Sequence, residues 1–309
     1  MLPSLALGLI FGLLIFFAGI LIMSKAVTNT ANQQFRKWVS FFTGNPISGI
    51  LVGTIITGIT QSSSGTTVMV VSLVNSGVMN LYQATAIIMG ANIGTTFTAQ
   101  LISFDFFSII PHLMFIGVLL YHLHFHPTIR QLGRFTFGFS LLFLGIQLMS
   151  RSLEPLKDMA DFQQLMLSIE NRPFRGVLIG LFTTAIIQSS STGVAILQSL
   201  SLQGLIRITQ AMPIILGQNI GTCFTTILSA LAVDKNGKRA AIIHLLFNIV
   251  GVILLYPFME QFSYCIARLT PLNPVRQIAN AHTIFNIINT IVLIPFIRQM
   301  VWISQKIIK

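Results

Sequence analysis

One short polar motif occurs twice in an otherwise apolar chain. The two copies are Gln61, Ser62, Ser63, Ser64 and Gln188, Ser189, Ser190, Ser191. Hydroxyls and amides both donate and accept hydrogen bonds, so such a group can bind an oxyanion through its donors or a small cation through its oxygens. No carboxylate, Lys or Arg lies within the two motifs, so any bound charge must be compensated by other groups.

A second polar motif follows each copy at the same distance. Gly90–Thr98 corresponds to Gly217–Thr225, and the whole of Gly53–Gln100 aligns without gaps to Gly180–Ile227, at an offset of 127 and with 21 identities in 48 positions. Shared membrane composition would match Leu and Ile but not these polar motifs, so the chain contains an internal duplication. We expect a group of polar residues near the motifs to support the site or bind Na⁺, namely Asn92, Thr95, Asn219, Thr222, Thr66 and Thr192.

The composition indicates a protein that lies in a lipid bilayer. Only 8% of the 309 residues are charged, 53% are hydrophobic and the mean hydropathy is +0.82. Soluble domains have about 25% charged residues, so the expected fold class is an all-α polytopic membrane protein. The net charge of +11 does not indicate nucleic-acid binding, because no soluble basic domain is present to carry it.

The apolar arms on either side of each motif are too short to cross a bilayer. Each arm has 14 or 15 residues, which cover about 21 Å of a hydrocarbon core about 30 Å thick. A continuous kinked span is the alternative, but four small polar residues and nearby glycines interrupt a helix well. We therefore predict re-entrant helical hairpins at 46–78 and 174–206, with the motif at each tip.

The remaining apolar runs predict about seven crossings arranged as an inverted repeat. They lie near 4–24, 81–102, 106–123, 135–150, 208–232, 240–259 and 278–303. Repeat 1 is expected over 1–125, repeat 2 over 126–260, and an extra C-terminal span over 261–309. Three crossings per repeat is an odd number, so the second repeat must enter the membrane in the opposite orientation.

The distribution of charged residues predicts how the spans are oriented in the membrane. One side collects eleven basic residues and one acidic residue, and the other collects seven basic and six acidic residues. The positive-inside bias places the N-terminus outside and the C-terminus in the cytoplasm, in a multi-pass protein of the inner (cell) membrane. The two tips then enter from opposite sides and can meet near the midplane.

Several other functions are compatible with parts of the sequence. A hydrolase is disfavoured because no Gly-x-Ser-x-Gly elbow is present, and a channel remains open because channels also use re-entrant loops. Proton coupling would use intramembrane groups such as His112, His244 and His282, although hydrogen bonding to neighbouring helices explains them more simply. His122, His124 and His126 are expected on a solvated loop rather than at a metal site.

The paired motifs, each followed by Gly-x-Asn-Ile-Gly-Thr, resemble the type II sodium–phosphate cotransporter family over roughly residues 5 to 300. The resemblance implies an inverted-repeat secondary transporter that is not an enzyme, has no cofactor and moves Na⁺ with inorganic phosphate by alternating access. It assigns phosphate and sodium binding to the two Gln-Ser-Ser-Ser motifs.

Arsenate, sulfate, proton coupling and a channel-like anion pathway remain alternatives, and a homo-oligomer is compatible with the sequence. Many bacterial relatives carry a C-terminal domain resembling the PhoU proteins, which we do not expect after Lys309.

Overall fold

The structure is a computed structural model that describes residues 2–42, 45–122 and 127–309, with side chains described from residue 4 and omitted for 27–42. The described part of the chain is helical and contains no strand. Its α-helices are α1 (Leu2–Phe42), α2 (Pro46–Thr60), α3 (Ser63–Asn75), α4 (Leu81–Ile102), α5 (Ile110–His122), α6 (Pro127–Leu153), α7 (Ala160–Asn171), α8 (Pro173–Ile187), α9 (Ser190–Leu202), α10 (Ile208–Ala230), α11 (Lys235–Leu255), α12 (Met259–Leu269), α13 (Pro274–Leu293) and α14 (Ile297–Ile307).

Five helical stretches in the described residues are long and apolar enough to cross a membrane. They are Ser4–Ala26, Pro127–Asp158, Ile208–Ala230, Lys235–Leu269 and Pro274–Ile307. An all-α polytopic membrane protein is thereby confirmed.

Two of the seven expected crossings fall on helices outside this set of five. One is α4, which has 22 residues but many polar ones, and most of its length is buried inside the protein. The other is α5, which has 13 residues. A 3₁₀ turn at Ile294–Phe296 also divides the span expected over 278–303 between α13 and α14.

Helices α2 and α3 fold back on each other, as do α8 and α9. The hydroxyl of Thr57 donates to that of Thr66 over 2.9 Å. A Cβ added to Gly193 would lie 3.2 Å from Oγ1 of Thr184. Residues nine apart in a straight helix would be separated by about 13 Å along its axis, so each pair forms a hairpin. We call Pro46–Asn75 the first hairpin and Pro173–Leu202 the second hairpin.

The first arm of each hairpin packs tightly on the long helix of its own half. In the first half, a Cβ on Gly90 would overlap the carbonyl oxygen of Ile50, so α2 and α4 approach backbone to backbone. In the second half, a Cβ on Gly217 would overlap the carbonyl oxygen of Val177. Both pairs are related by the same offset of 127 residues, so the duplicated sequence makes duplicated contacts.

The second arm of each hairpin also crosses to the other half. Thr67 on α3 shares a hydrogen bond of 2.9 Å with Thr226 on α10. In the reciprocal contact, the Gln198 amide on α9 donates to the carbonyl oxygen of Ala99 on α4 over 3.0 Å. Because positions 99 and 226 are equivalent in the duplication, the two halves exchange arms reciprocally.

Candidate functional site

Both polar motifs line one cavity of about 310 Å³. We call Gln61–Ser64 the first tip and Gln188–Ser191 the second tip. The structure brings all eight motif residues together, with no ionisable side chain among the described residues that line the cavity. The other lining residues are Phe17, Ile20, Leu21, Ser24 and Thr60.

The chain reverses at a glutamine in each tip. Gln61 has φ 54° and Gln188 has φ 59°, the only positive φ values of non-glycine residues in the described chain. The sequence predicts that the four polar residues and nearby glycines interrupt the helix, and the structure places the reversal at the first of the four, the glutamine. A left-handed conformation costs a non-glycine residue about 1–3 kcal/mol, and such strain concentrates at functional sites.

A serine caps the helix that leaves each tip. The Ser62 hydroxyl accepts from the backbone N–H of Gly65 over 3.0 Å. The Ser189 hydroxyl accepts from the N–H of Thr192 over 3.3 Å. Each cap satisfies one of the N–H groups that a helix start leaves without an intrahelical acceptor.

Helices α3 and α9 begin at Ser63 and Ser190. The apolar arms were expected on either side of each motif, but these helices begin two residues before the motif ends, because the hydroxyl of the preceding residue, Ser62 or Ser189, serves as the cap. As a result, the last two serines of each tip belong to the first helical turn. Their backbone N–H groups have no acceptor within their own described helices, and they lie at the positive end of the helix dipole.

The hydroxyls of Ser63 and Ser190 are free to bind a ligand. Within the described chain neither forms a hydrogen bond, although Ser190 is only 4% exposed. Both residues line the cavity. Two hydroxyls and two helix starts therefore offer donors to one small space, which is the arrangement that binds oxyanions at helix N-termini.

Ser64 joins the two tips directly. Its hydroxyl lies 3.4 Å from the carbonyl oxygen of Gln188 and 3.2 Å from the hydroxyl of Thr225 on α10. On the opposite side, the hydroxyl of Ser191 lies 3.5 Å from the carbonyl oxygen of Thr95 on α4. Each tip therefore contacts the long helix of the other half.

The second polar motif lies behind the cavity and does not line it. Its side chains bond to carbonyls one turn earlier in their own helices, as Asn92 to Ile88, Thr95 to Ala91, Asn219 to Ile215 and Thr222 to Gln218, over 2.8 to 3.0 Å. Thr66 bonds to the Ser62 carbonyl over 3.0 Å, and Thr192 bonds to the Ser189 hydroxyl over 2.9 Å. These six side chains thus brace the tips and the long helices.

The two glutamines have different surroundings. The Gln61 amide donates to the carbonyl oxygen of Gly58 and accepts from Thr98 on α4. Gln188 is exposed, and its side chain forms no hydrogen bond within the described chain. Thr225, the counterpart of Thr98, contacts Ser64 instead. Identical sequences in the two tips therefore carry different hydrogen bonds.

Two buried oxygens without donors lie behind the second tip. Oγ1 of Thr184 and Oε1 of Gln218 have no hydrogen-bond partner among the described residues. Both side chains adjoin Gly193, since a Cβ there would lie 3.2 Å from the Thr184 hydroxyl and 2.7 Å from the Gln218 amide nitrogen. In the first hairpin, Thr66 takes the place of Gly193 and bonds to Thr57. The second hairpin therefore keeps unpaired oxygens next to Gly193, whereas at the equivalent place in the first hairpin Thr57 and Thr66 bond to each other.

The intramembrane histidines are hydrogen-bonded only in part. Nδ1 of His244 lies 2.9 Å from the Thr226 hydroxyl on α10, as expected for a contact between helices. Nδ1 of His282 is buried and has no partner in the described chain. His124 and His126 lie outside the described residues. Among the residues that the structure describes, no group of three His, Cys, Asp or Glu could hold a metal ion.

Helix α1 forms a wall of the cavity that the sequence does not indicate. Phe17, Ile20 and Leu21 line the cavity opposite the tips, and the Ser24 hydroxyl donates to the Thr60 carbonyl over 2.7 Å. The only sequence feature at this point is the alignment of Ser24 with Ser150 at an offset of 126. Ser150, however, bonds to the carbonyl of Ser199 in the second hairpin, so the alignment does not reveal the wall.

Known proteins match most of this chain. "Uncharacterized protein YqeW" of Bacillus subtilis is 33% identical over 268 residues, which cover 87% of each chain. "Putative inorganic phosphate export protein YjbB" of Escherichia coli is 29% identical over 70% of this chain and 40% of its own length. "Sodium-dependent phosphate transport protein 2A" of Rattus norvegicus is 36% identical over 103 residues, 31% of this chain and 16% of its own. No solved structure matches the chain.

A family match covers both halves of the chain. The sequence model of the Na⁺/Pi-cotransporter family matches residues 15–151 and again residues 147–270. The two matches together span more than half of the chain and contain both tips. The chain therefore belongs to the Na⁺/Pi-cotransporter family, which is a family of membrane transporters and not of enzymes.

Proposed function

We propose that this protein transports inorganic phosphate across the cell membrane together with Na⁺, by alternating access around the cavity between the two tips. The observation that carries the proposal is the convergence of Ser63 and Ser190, with free hydroxyls and free N–H groups, on one cavity. The names of the E. coli and rat relatives, both of which mention phosphate, support the choice of substrate.

The cavity suits an oxyanion that arrives with cations. Hydroxyls and N–H groups can surround a tetrahedral anion, and the helix starts of α3 and α9 favour negative charge. Among the described residues, no Lys or Arg lines the cavity to balance that charge. Because desolvating an anion without a counter-charge is costly, bound Na⁺ would lower the cost, and anion binding would depend on the cation.

The coupling ion requires oxygen ligands near the phosphate. Thr184 Oγ1 and Gln218 Oε1 are buried oxygens without a hydrogen-bond partner in the described chain, and both side chains adjoin Gly193 behind the second tip. Hydroxyl and amide oxygens are ligands that hard cations accept. We place one Na⁺ at these two oxygens, with the polar residues of the two long helices bracing the surrounding backbone.

Alternating access follows from the expected topology. We propose that both hairpins are re-entrant, that 1–125 and 126–260 have opposite orientations, and that the N-terminus is outside and the C-terminus in the cytoplasm. In the described structure the tips touch through Ser64 and Gln188. Movement of one hairpin relative to the other would open the cavity to one side at a time.

Reconstituted transport tests the function. Purified protein in liposomes should accumulate labelled phosphate when an inward Na⁺ gradient is imposed, and K⁺ or pH gradients of the same size should not replace it. A Ser63→Ala/Ser190→Ala double variant should lose most of this uptake, and Ser72→Ala on the exposed side of α3 is the matched control that should keep it. Equal uptake in Na⁺ and K⁺ would exclude sodium coupling, and currents of channel size would exclude a carrier.

A further inference from the structure

A second cavity lies between α1, α5 and α6, away from the two tips. It has a volume of about 480 Å³ and opens between apolar side chains and a set of basic and aromatic residues. Its lining residues are Ile22, Lys25, Val118, Tyr121, His122, Arg134 and Phe137. We call it the α1–α5–α6 cleft.

Close helix packing fixes the walls of this cleft. A Cβ on Gly133 of α6 would overlap the backbone of Tyr121, so α5 and α6 touch at the end where the cleft lies. A Cβ on Gly138 would lie 2.6 Å from the backbone nitrogen of Met23, so α1 contacts α6 one turn further on. The cleft is therefore the gap that α1 and α5 leave on the surface of α6.

The rim of the cleft is cationic, and the three helices that form the cleft carry no acidic residue. Arg130 and Arg134 each place their guanidinium carbon 5.3 Å from the centre of the Tyr121 ring, and Lys25 adds a third positive charge from α1. The sequences of α1, α5 and α6 contain no Asp or Glu. Arginines stacked on one tyrosine are held in place, so these helices present fixed positive charge that the same helices do not neutralise.

The inner wall of the cleft is apolar and continues into lipid-facing surface. Ile22, Val118 and Phe137 form that wall. Along α5, Phe115 is 70% exposed and Leu119 50%. Large apolar side chains with this exposure contact acyl chains in a membrane protein, so a molecule seated in the cleft would have its apolar part among lipid tails.

We propose that the α1–α5–α6 cleft binds an anionic phospholipid, with the phosphate of the headgroup at Lys25 and Arg134 and an acyl chain against Val118 and Phe137. Basic pockets between membrane helices at the interface suit such headgroups. An amphiphile matches both parts of the cleft, whereas free phosphate would match only the rim. The inference does not depend on the transport proposal.

Lipid retention by the full chain tests the inference. The detergent-purified protein is mixed with phosphatidylglycerol, cardiolipin or phosphatidylcholine, and bound lipid is counted by native mass spectrometry. The wild type should retain the two anionic lipids and not phosphatidylcholine. Lys25→Gln/Arg134→Gln should weaken retention of anionic lipid by roughly ten- to thirtyfold, since each basic residue near a lipid surface contributes about a fivefold factor.

A matched control separates this site from general charge. Arg298→Gln/Lys306→Gln on α14 removes the same charge from exposed positions outside the cleft and should leave retention unchanged. Equal losses in the two double variants would overturn the proposal. Release of the lipid by millimolar inorganic phosphate would also overturn it, because the rim alone would then be the binding element.

A measurement on the wild type keeps the proposal testable when the variant folds poorly. A photoreactive phosphatidylglycerol with its reactive group near the glycerol should label peptides that contain Val118 to Tyr121, Ile22 to Lys25 or Arg134 to Phe137. An excess of unlabelled phosphatidylglycerol, but not of phosphatidylcholine, should suppress the label. Labelling that is spread evenly over lipid-facing helices would contradict a defined site.

Discussion

The hydroxyl of Ser64 lies 3.4 Å from the carbonyl oxygen of Gln188, so two residues 124 positions apart close the same cavity. The contact joins the helix start of α3 to the strained bend of the second tip. Because the same hydroxyl also contacts Thr225, Ser64 links the first tip to both the second tip and helix α10. We expect that transport requires this contact to break and re-form.

A reversible crosslink tests that expectation. Ser64→Cys/Thr225→Cys, in a background of Cys223→Ala and Cys265→Ser, should form a disulfide because the two hydroxyl oxygens are 3.2 Å apart. Phosphate uptake should be lost on oxidation and recovered after reduction. The single Ser64→Cys variant is the control and should not respond to oxidant. Full uptake by the crosslinked protein would show that the tips need not separate.

Loss of a tip hydroxyl should weaken phosphate binding. Ser63→Ala and Ser190→Ala each remove a donor that has no protein partner in the described chain, which costs about 1–3 kcal/mol when a buried acceptor is left unpaired. The phosphate concentration for half-maximal uptake should rise roughly tenfold or more in each variant. Ser72→Ala, nine residues further along α3, should leave it unchanged. Unchanged kinetics in both tip variants, at normal expression, would remove these serines from the site.

The two oxygens behind the second tip should govern sodium dependence. Thr184→Val and Gln218→Ala should each raise the Na⁺ concentration for half-maximal uptake several-fold, since each removes one of a small number of oxygen ligands. At saturating Na⁺ the phosphate concentration for half-maximal uptake should return to the wild-type value in both variants. Thr57→Val alters the equivalent position in the first hairpin, where the hydroxyl already has a partner in Thr66, and should leave the sodium dependence intact. A sodium dependence that is unaltered in both Thr184 and Gln218 variants would place the ion elsewhere.

The left-handed bend at Gln188 should make glycine the better replacement there. Gln188→Gly should unfold at a higher temperature than Gln188→Ala, by an amount equivalent to about 1 kcal/mol, because only alanine retains the steric cost of positive φ. Gln203 has φ −89° and is the control, at which glycine should give no advantage over alanine. Thermal unfolding of the purified proteins measures both pairs. The opposite order at Gln188 would mean that the bend is not left-handed.

Gly90 should tolerate no added side chain. Gly90→Ala places a methyl group against the carbonyl oxygen of Ile50 and should destabilise the protein by about 1–3 kcal/mol. Gly58→Ala is the control, because its Cβ would lie 3.5 Å from the Phe97 ring in ordinary contact. The unfolding midpoint and the folded yield should fall only for Gly90→Ala. Equal effects at both positions would show that α2 and α4 pack less closely than described.

The convergence of the two tips could be predicted because a duplication repeats polar residues that membrane composition does not explain. The residues at which α3 and α9 begin could not be predicted with the same accuracy. Three consecutive serines are equally good caps, so only the fold shows that Ser62 and Ser189 take that role. The bend at Gln61 was also hidden, since glutamine has no local preference for positive φ and the surrounding packing must impose it.

The α1 wall was hidden for a different reason. Phe17 and Leu21 have the same composition as the lipid-facing residues beside them, so no pattern in the sequence separates cavity from bilayer. The unequal hydrogen bonds of Gln61 and Gln188 were equally unpredictable. Their local sequences are the same, and the difference arises from helices distant in the chain that surround each tip.

The exchange of hairpin arms between halves has an evolutionary consequence. Thr67 on α3 binds Thr226 of the second half, and Gln198 on α9 binds Ala99 of the first half. With the opposite orientations proposed above for the two halves, a single ancestral half would have packed its second hairpin arm against the equivalent long helix of an oppositely inserted copy. Fusion of two such copies into one gene would have joined both halves in a single chain, after which each half was free to diverge at equivalent positions such as Thr66 and Gly193.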